Sequence, residues 1–309
     1  MIDCVVNSNR VTRIKMFRVD MCGFEEIGRF ESWFEFAVTK KAESIHLVGV
    51  QQLRLNGPFL RLPNTNGLDC LKDLYLCYIK MTDQDFELLV SNCPVLECLE
   101  IESCRELGNV SIVGHSKLKF VKFSDIIPLK SIVIRDAISL VSLMFHCLER
   151  ECVFQLSNIP LLTKLDFRES GYKVKLAELL PGISSCIRDQ LQLMSLSTSN
   201  IIYTSPLDIQ DPESCWIDLV NIKHLELVID MDNFGDQWPF SRYLCRLVES
   251  CGSLEKLVIK FQHILDDEVL EMESRELPGS LQKLTVMPCG EDALARACHD
   301  FRHISFLVL

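Results

Sequence analysis

Few residues in this chain have the types and spacing that chemistry requires. The nearest thing to a metal cluster is Cys289, Cys298, His299 and His303. If the two histidines lay on one strand, they would stand roughly 13 Å apart at about 3.3 Å rise per residue, too far to share an ion. His146 beside Cys147 offers a thiol and a base, but neighbours on a strand point to opposite faces, so they are poorly placed for each other. That reading leaves a core Cys147 and an exposed His146. Paired carboxylates recur at Glu25/Glu26, Asp230/Asp232 and Asp266/Asp267. None accompanies a nucleophile or a cofactor motif, and Asp266/Asp267 sits where a helix start favours negative charge. No phosphate-binding glycine loop, Gly-x-Ser-x-Gly elbow, zinc-protease motif or calcium loop occurs. The expectation is no catalytic residue, no metal and no cofactor.

What does recur is a scaffold. The pattern apolar-x-x-apolar-x-apolar repeats twelve times. Clear copies are Leu71/Leu74/Leu76, Leu96/Leu99/Ile101, Leu118/Val121/Phe123, Leu140/Leu143/Phe145, Leu162/Leu165/Phe167, Leu191/Met194/Leu196, Ile222/Leu225/Leu227, Leu254/Leu257/Ile259 and Leu281/Leu284/Val286. Looser ones are Val11/Ile14/Met16, Ala42/Ile45/Leu47 and Phe301/Ile304/Phe306. This is the strand signature of a leucine-rich repeat. It predicts an α/β solenoid, a horseshoe with one strand per repeat and helices or irregular segments on the convex side. The central copies are spaced 22 residues apart and the flanking ones further, so whole helices are expected in the flanks. Candidates are Phe30–Lys41, Asp83–Ser91 capped by Thr82, Phe240–Glu249, Asp266–Ser274 and Glu291–Cys298. No linker or low-complexity tract interrupts the ladder, so residues 1–309 are expected to form one repeat domain. Pro206 and Pro212 bracket the best loop candidate.

Composition narrows the partners. The net charge of −11 argues against a general nucleic-acid binder, which needs a basic face. No run reaches membrane-spanning length, and the polar first ten residues lack a signal-peptide core. The fifteen cysteines are scattered without a Cys-x-x-Cys pair. They read as reduced, with Cys93 and Cys104 in the core, in a cytoplasmic or nuclear protein.

Residues alternating with the ladder point away from the core, onto the concave face. This places Tyr75, Glu100, Phe120, Lys122, Met144, His146, Arg168, His224, Lys256 and Lys260 on a candidate partner-binding surface. Tyr75, Phe120 and Met144 are large groups expected to face solvent there, of the kind that anchor protein interfaces. Charge along the face runs from acidic near Glu100 to basic near Lys256, Lys260 and Lys283.

Several segments resemble plant F-box proteins with leucine-rich repeats, especially those ending in an FBD region. Ser91-Asn92-Cys93-Pro94-Val95-Leu96-Glu97-Cys98-Leu99 is the most specific. Gly67 to Leu76, Met81-Thr82-Asp83, Phe86 to Leu89, Glu31 to Ala37 with Glu43 to Leu47, and Val248 to Leu257 are similar to other family segments. The resemblance covers most of residues 11 to 260 and weakens beyond Phe261, leaving a divergent FBD-like end over 250–309. It implies a non-enzymatic module that binds a target protein on its concave face, as the substrate-binding part of an F-box adaptor of a cullin–RING ubiquitin ligase. Family members begin with an F-box that binds the ligase's linker subunit, and Met1 lies where that box is expected to have ended. The linker is therefore a partner only if an F-box stands upstream. The alternative is an F-box-less scaffold or decoy that competes with full-length relatives.

Overall fold

The computed structural model describes residues 12–20, 30–49, 59–60, 67–126, 129–146, 152–168, 190–197, 221–230, 251–262, 272–273 and 283–287. The chain divides into two compact units. Met1–Met144 with Glu151–Leu161 form the first, and Phe145–Arg150 with Leu162–Leu309 form the second.

Within the described residues the ladder forms short strands, because its two alternating apolar residues give one face to bury. In the first unit β1 (Met16–Asp20), β2 (Ser44–Val48), β3 (Asp73–Cys77), β4 (Cys98–Glu102) and β6 (Phe120–Ser124) lie side by side in that order. Their pairing is parallel, and Phe17, Ile45, Leu74, Leu99 and Val121 fall in register. Leu71, Leu74, Leu76, Leu96, Leu99, Ile101, Leu118, Val121 and Phe123 are all buried. Each such side chain contributes about 1.5–3 kcal/mol when fully buried, so a rung missing its apolar pair would not stack. The first loose copy is corrected by this register. Ile14 does not align with Ile45; Phe17 does, and its ring packs 5.8 Å from Phe36. The working copy is Ile14-x-x-Phe17-x-Val19, three residues along from the expected one.

The opposite layer differs from expectation in the regular centre. Helices do occupy the flank. α1 (Phe30–Thr39) buries Phe30, Trp33, Phe34, Ala37 and Val38. α2 (Asp83–Ser91) buries Phe86, Leu89 and Val90, and Phe86 meets Phe123 across the core at 6.3 Å. Thr82 caps α2: its Oγ1 accepts from the Asp85 N–H at 3.1 Å and donates to the Asp85 carboxylate at 2.6 Å. Asn92 ends it, donating through its backbone N–H and its amide to the Leu88 carbonyl. The 22-residue repeats, however, carry a second strand each. β5 (Asn109–Val113), β7 (Ser131–Arg135) and β9 (Val153–Ser157) form a separate parallel sheet. Val110, Ile132 and Phe154 are in register, as are Ile112, Ile134 and Leu156, and all six are buried. One strand per repeat therefore fails here, because a short repeat has no room for a helix yet still presents an x-apolar-x-apolar-x segment to close the core.

The turns share one device. Tyr78, Ser103 and Asp125 follow β3, β4 and β6 with φ between 50° and 56°. Gly114, Asp136 and Asn158 follow β5, β7 and β9, also with positive φ. This left-handed residue reverses the chain while its N–H still donates to the next repeat, as Ser103 does to Ser124 at 2.8 Å and Gly114 to Arg135 at 3.0 Å. Gly67 has φ 120°, and a Cβ there would stand 2.1 Å from the Val38 carbonyl oxygen, so glycine is required.

In the second unit β10 (Lys164–Arg168), β11 (Leu193–Ser197), β12 (His224–Asp230), β13 (Lys256–Gln262) and β15 (Lys283–Met287) are parallel neighbours in that order. Leu165, Met194, Leu225, Leu257 and Leu284 share the register. The expected helix over Asp266–Ser274 is contradicted where it is described: β14 (Met272–Glu273) pairs antiparallel with β15. β8 (Ser142–His146) gives its first three residues to the first unit and Phe145 and His146 to the second. The Phe145 and Phe167 rings stack at 5.3 Å. The expected helices Phe240–Glu249 and Glu291–Cys298, the Pro206–Pro212 loop and the last ladder copy lie outside the described residues.

Candidate functional site

The face of the first unit's main sheet that points away from the core carries a cross-strand row: Arg18, His46, Tyr75, Glu100 and Lys122 stand in register. Period-two alternation sends them outward while the ladder residues turn in. The His46 and Tyr75 rings meet tilted at 5.8 Å. The Tyr75 hydroxyl donates to Glu102 Oε2 at 3.3 Å, and Lys122 Nζ reaches the same oxygen at 3.5 Å. Glu102 is thus a shared acceptor that fixes both side chains. Burial pushes the Tyr75 phenol well above its usual value, and contact with Cys77 and Glu102 adds to this, so it stays protonated as a donor. Burial also raises the Cys77 thiol to about 11. At the sheet's edge Arg18 pairs with Asp20 at 3.0 Å.

Tyr75, Phe120 and Met144 are half-buried, where full solvent exposure was expected. Phe120 lies in register with Cys98. Glu100 accepts a long contact from Cys98 Sγ at 3.8 Å. Phe120, Glu100 and Met144 remain partly accessible beside the Tyr75–Glu102–Lys122 network, so the face combines two apolar groups with an anchored cation and anion. Such a set suits a protein surface of mixed character.

On the second unit's own sheet the outward positions are more closed. Asp166 and Ser195 are buried, as is Val258 in the same row. His146 is not the exposed residue expected: its side chain is 19% exposed, and its Nε2 lies 3.9 Å from Asp166 Oδ2, beyond hydrogen-bond reach. His224 and Lys256 are half-buried on β12 and β13. Arg168 and Lys260 lie on β10 and β13, but their side chains lie outside the described residues.

Cys147, Glu25/Glu26, Asp232, Asp266/Asp267 and the Cys289–His303 group lie outside the described residues. Among the described residues no three His, Cys, Asp or Glu side chains are grouped to hold a metal. Cys93 and Cys104 are core thiols, and burial raises each to about 12. Among the described residues no helix is long and apolar enough to cross a membrane.

A family model described as "FBD-associated F-box protein At5g56370, LRR repeats" matches residues 33–176. Residues 33–176 are thus similar to the leucine-rich repeats of FBD-associated F-box proteins. A putative FBD-associated F-box protein of Arabidopsis thaliana is 30% identical over 141 residues, covering 43% of this chain and 31% of that protein. An F-box/LRR-repeat protein of the same plant is 24% identical over 238 residues, covering 64% of this chain and 57% of the relative. The chain therefore spans a third to somewhat over half the length of these curated relatives.

Alternation also turns Glu102 outward in the sequence, but the expected partner-binding set includes neither Glu102 nor His46. His46 stands at the equivalent outward position of its own rung, in register with Tyr75. That Glu102 is the hub was not legible, because it depends on side-chain reach across β3, β4 and β6.

Proposed function

We propose that the outer face of the first unit's sheet is a protein-recognition surface, the substrate-binding part of an F-box adaptor of a cullin–RING ubiquitin ligase acting in the cytoplasm or nucleus. The observation that carries this reading is the Tyr75–Glu102–Lys122 network lying beside Phe120 and Met144. The network holds an aromatic ring and a cation in fixed positions. Groups fixed before binding lose less entropy on association, which favours a hot spot. The match of residues 33–176 to a leucine-rich-repeat family model supports the binding role, since repeat units present such faces to partners. No catalysis is assigned to it.

The test compares the proteins recovered with the wild-type chain from plant cells with those recovered by Phe120→Ala and Lys122→Glu. Circular dichroism would establish that both variants fold. A specific partner should be lost from both, while an exposed-helix control, Glu35→Ala, keeps it. Retention of every partner by both folded variants would rule the surface out.

A further inference from the structure

A separate site lies on the other side of the first unit. An open pocket of about 490 Å³ is lined by Glu87, Val90 and Ser91 of α2, Pro94, Ser111, Val113 and Gly114 at the end of β5, and His115 and Ser116. Its size is within the usual range for ligand pockets. Its chemistry is uneven. Glu87 is the one charged residue among those lining residues, and it is exposed. His115 is 9% exposed and lines the pocket. The Ser91 hydroxyl donates to the Leu88 carbonyl at 3.0 Å and so turns lone pairs outward. Val90, Pro94 and Val113 supply apolar wall, and Val113 is 54% exposed.

We propose that this pocket binds a basic side chain, arginine or lysine, presented by a partner polypeptide. The aliphatic stem of such a residue lies against Val90, Pro94 and Val113, as long cationic side chains commonly do on apolar surface. Its head group meets the Glu87 carboxylate, and the hydroxyl oxygens and a His115 nitrogen accept its remaining hydrogens. Burial lowers the His115 pKa, so at neutral pH the ring is uncharged and keeps a free acceptor nitrogen. An anionic ligand would meet Glu87 with no lining cation to offset it, and a purely apolar one would leave the polar groups unpaired.

The probe is acetyl-Gly-Arg-Gly-amide, titrated into the full chain while the imidazole C–H resonances are followed. There are seven histidines, so the His115 signal can be assigned from its loss in His115→Gln. The expected result is a saturable shift of the His115 signal. The citrulline peptide, equal in shape but uncharged, should bind about ten-fold more weakly, and Glu87→Gln should weaken the arginine peptide by a similar factor, as expected for a charge-assisted hydrogen bond. An unsaturable shift, equal binding of the citrulline peptide, or undiminished binding by Glu87→Gln would each overturn the assignment.

Discussion

Replacing Asp83 with alanine should loosen the joint between α2 and the second sheet. Asp83 Oδ1 accepts from the backbone N–H groups of Gly108 at 2.6 Å and Asn109 at 2.9 Å, and Oδ2 accepts from Asn109 Nδ2 at 2.7 Å. Asn109 in turn accepts from the Ser131 hydroxyl at 2.8 Å, so one carboxylate organises the start of β5 and its link to β7. A hydrogen bond to a charged group contributes about 1.5–3 kcal/mol. The three bonds share one carboxylate, and water can replace part of the interaction at Asn109, which is exposed, so they do not add in full. Asp83 also stands in the first turn of α2, where negative charge contributes about 0.3–1 kcal/mol. The expected cost of Asp83→Ala is about 2–4 kcal/mol, and Asp83→Asn, which keeps an acceptor for the backbone groups, about 1 kcal/mol. Hydrogen exchange resolved to single amides is the assay, because it isolates the local opening from the rest of a repeat array. Gly108 and Asn109 should lose protection in Asp83→Ala, and the β3 amides should not. Unchanged protection at Gly108 and Asn109 would refute the reasoning.

Two further outcomes follow from the same structure. An alternating line of charge, Arg13, Glu43, Lys72, Glu97 and Lys119, runs past the strand starts, with Glu43 within 3.0 Å of both Arg13 and Lys72. Lys72 holds the Glu43 carboxyl below its usual value, and Lys119 does the same for Glu97. Folded carboxyls with depressed values stabilise above their unfolded pKa and lose that contribution as pH falls through the folded one. Stability should therefore decline on acidification below the usual carboxylate value of 4.5. The decline should be shallower in the Glu43→Gln, Glu97→Gln double variant, as followed by thermal melting. Gly67→Ala should cost about 1–3 kcal/mol or more, because φ 120° is strained for any side chain and the Val38 carbonyl blocks the Cβ; a melting temperature within a degree of wild type would contradict this.

The repeat itself was legible because leucine spacing and strand register report the same fact. Leu74, Leu99 and Val121 align as their pattern requires. The cap at Thr82 and the end at Asn92 were equally readable from local chemistry. The second sheet was not read, although Val110/Ile112, Ile132/Ile134 and Phe154/Leu156 recur at the same 22-residue step. Two apolar residues in alternation are a weak signal beside a three-point leucine pattern. The N-terminal rung was placed three residues early because Val11, Ile14 and Met16 satisfy the pattern as well as Ile14, Phe17 and Val19, and only packing on Phe36 separates them. For the site, alternation gave the facing of Tyr75, Glu100, Phe120 and Lys122. Depth was beyond it: Asp166, Ser195 and Val258 occupy outward positions and are nevertheless buried.

Site-specific photocrosslinking tests the recognition claim most directly. A benzophenone amino acid would replace Phe120 on the sheet's outer face, and in a parallel chain Glu35 on the exposed side of α1. A discrete adduct with a partner protein is expected from position 120 and none from position 35. Adducts of equal yield from both positions, or none from position 120, would contradict the recognition claim.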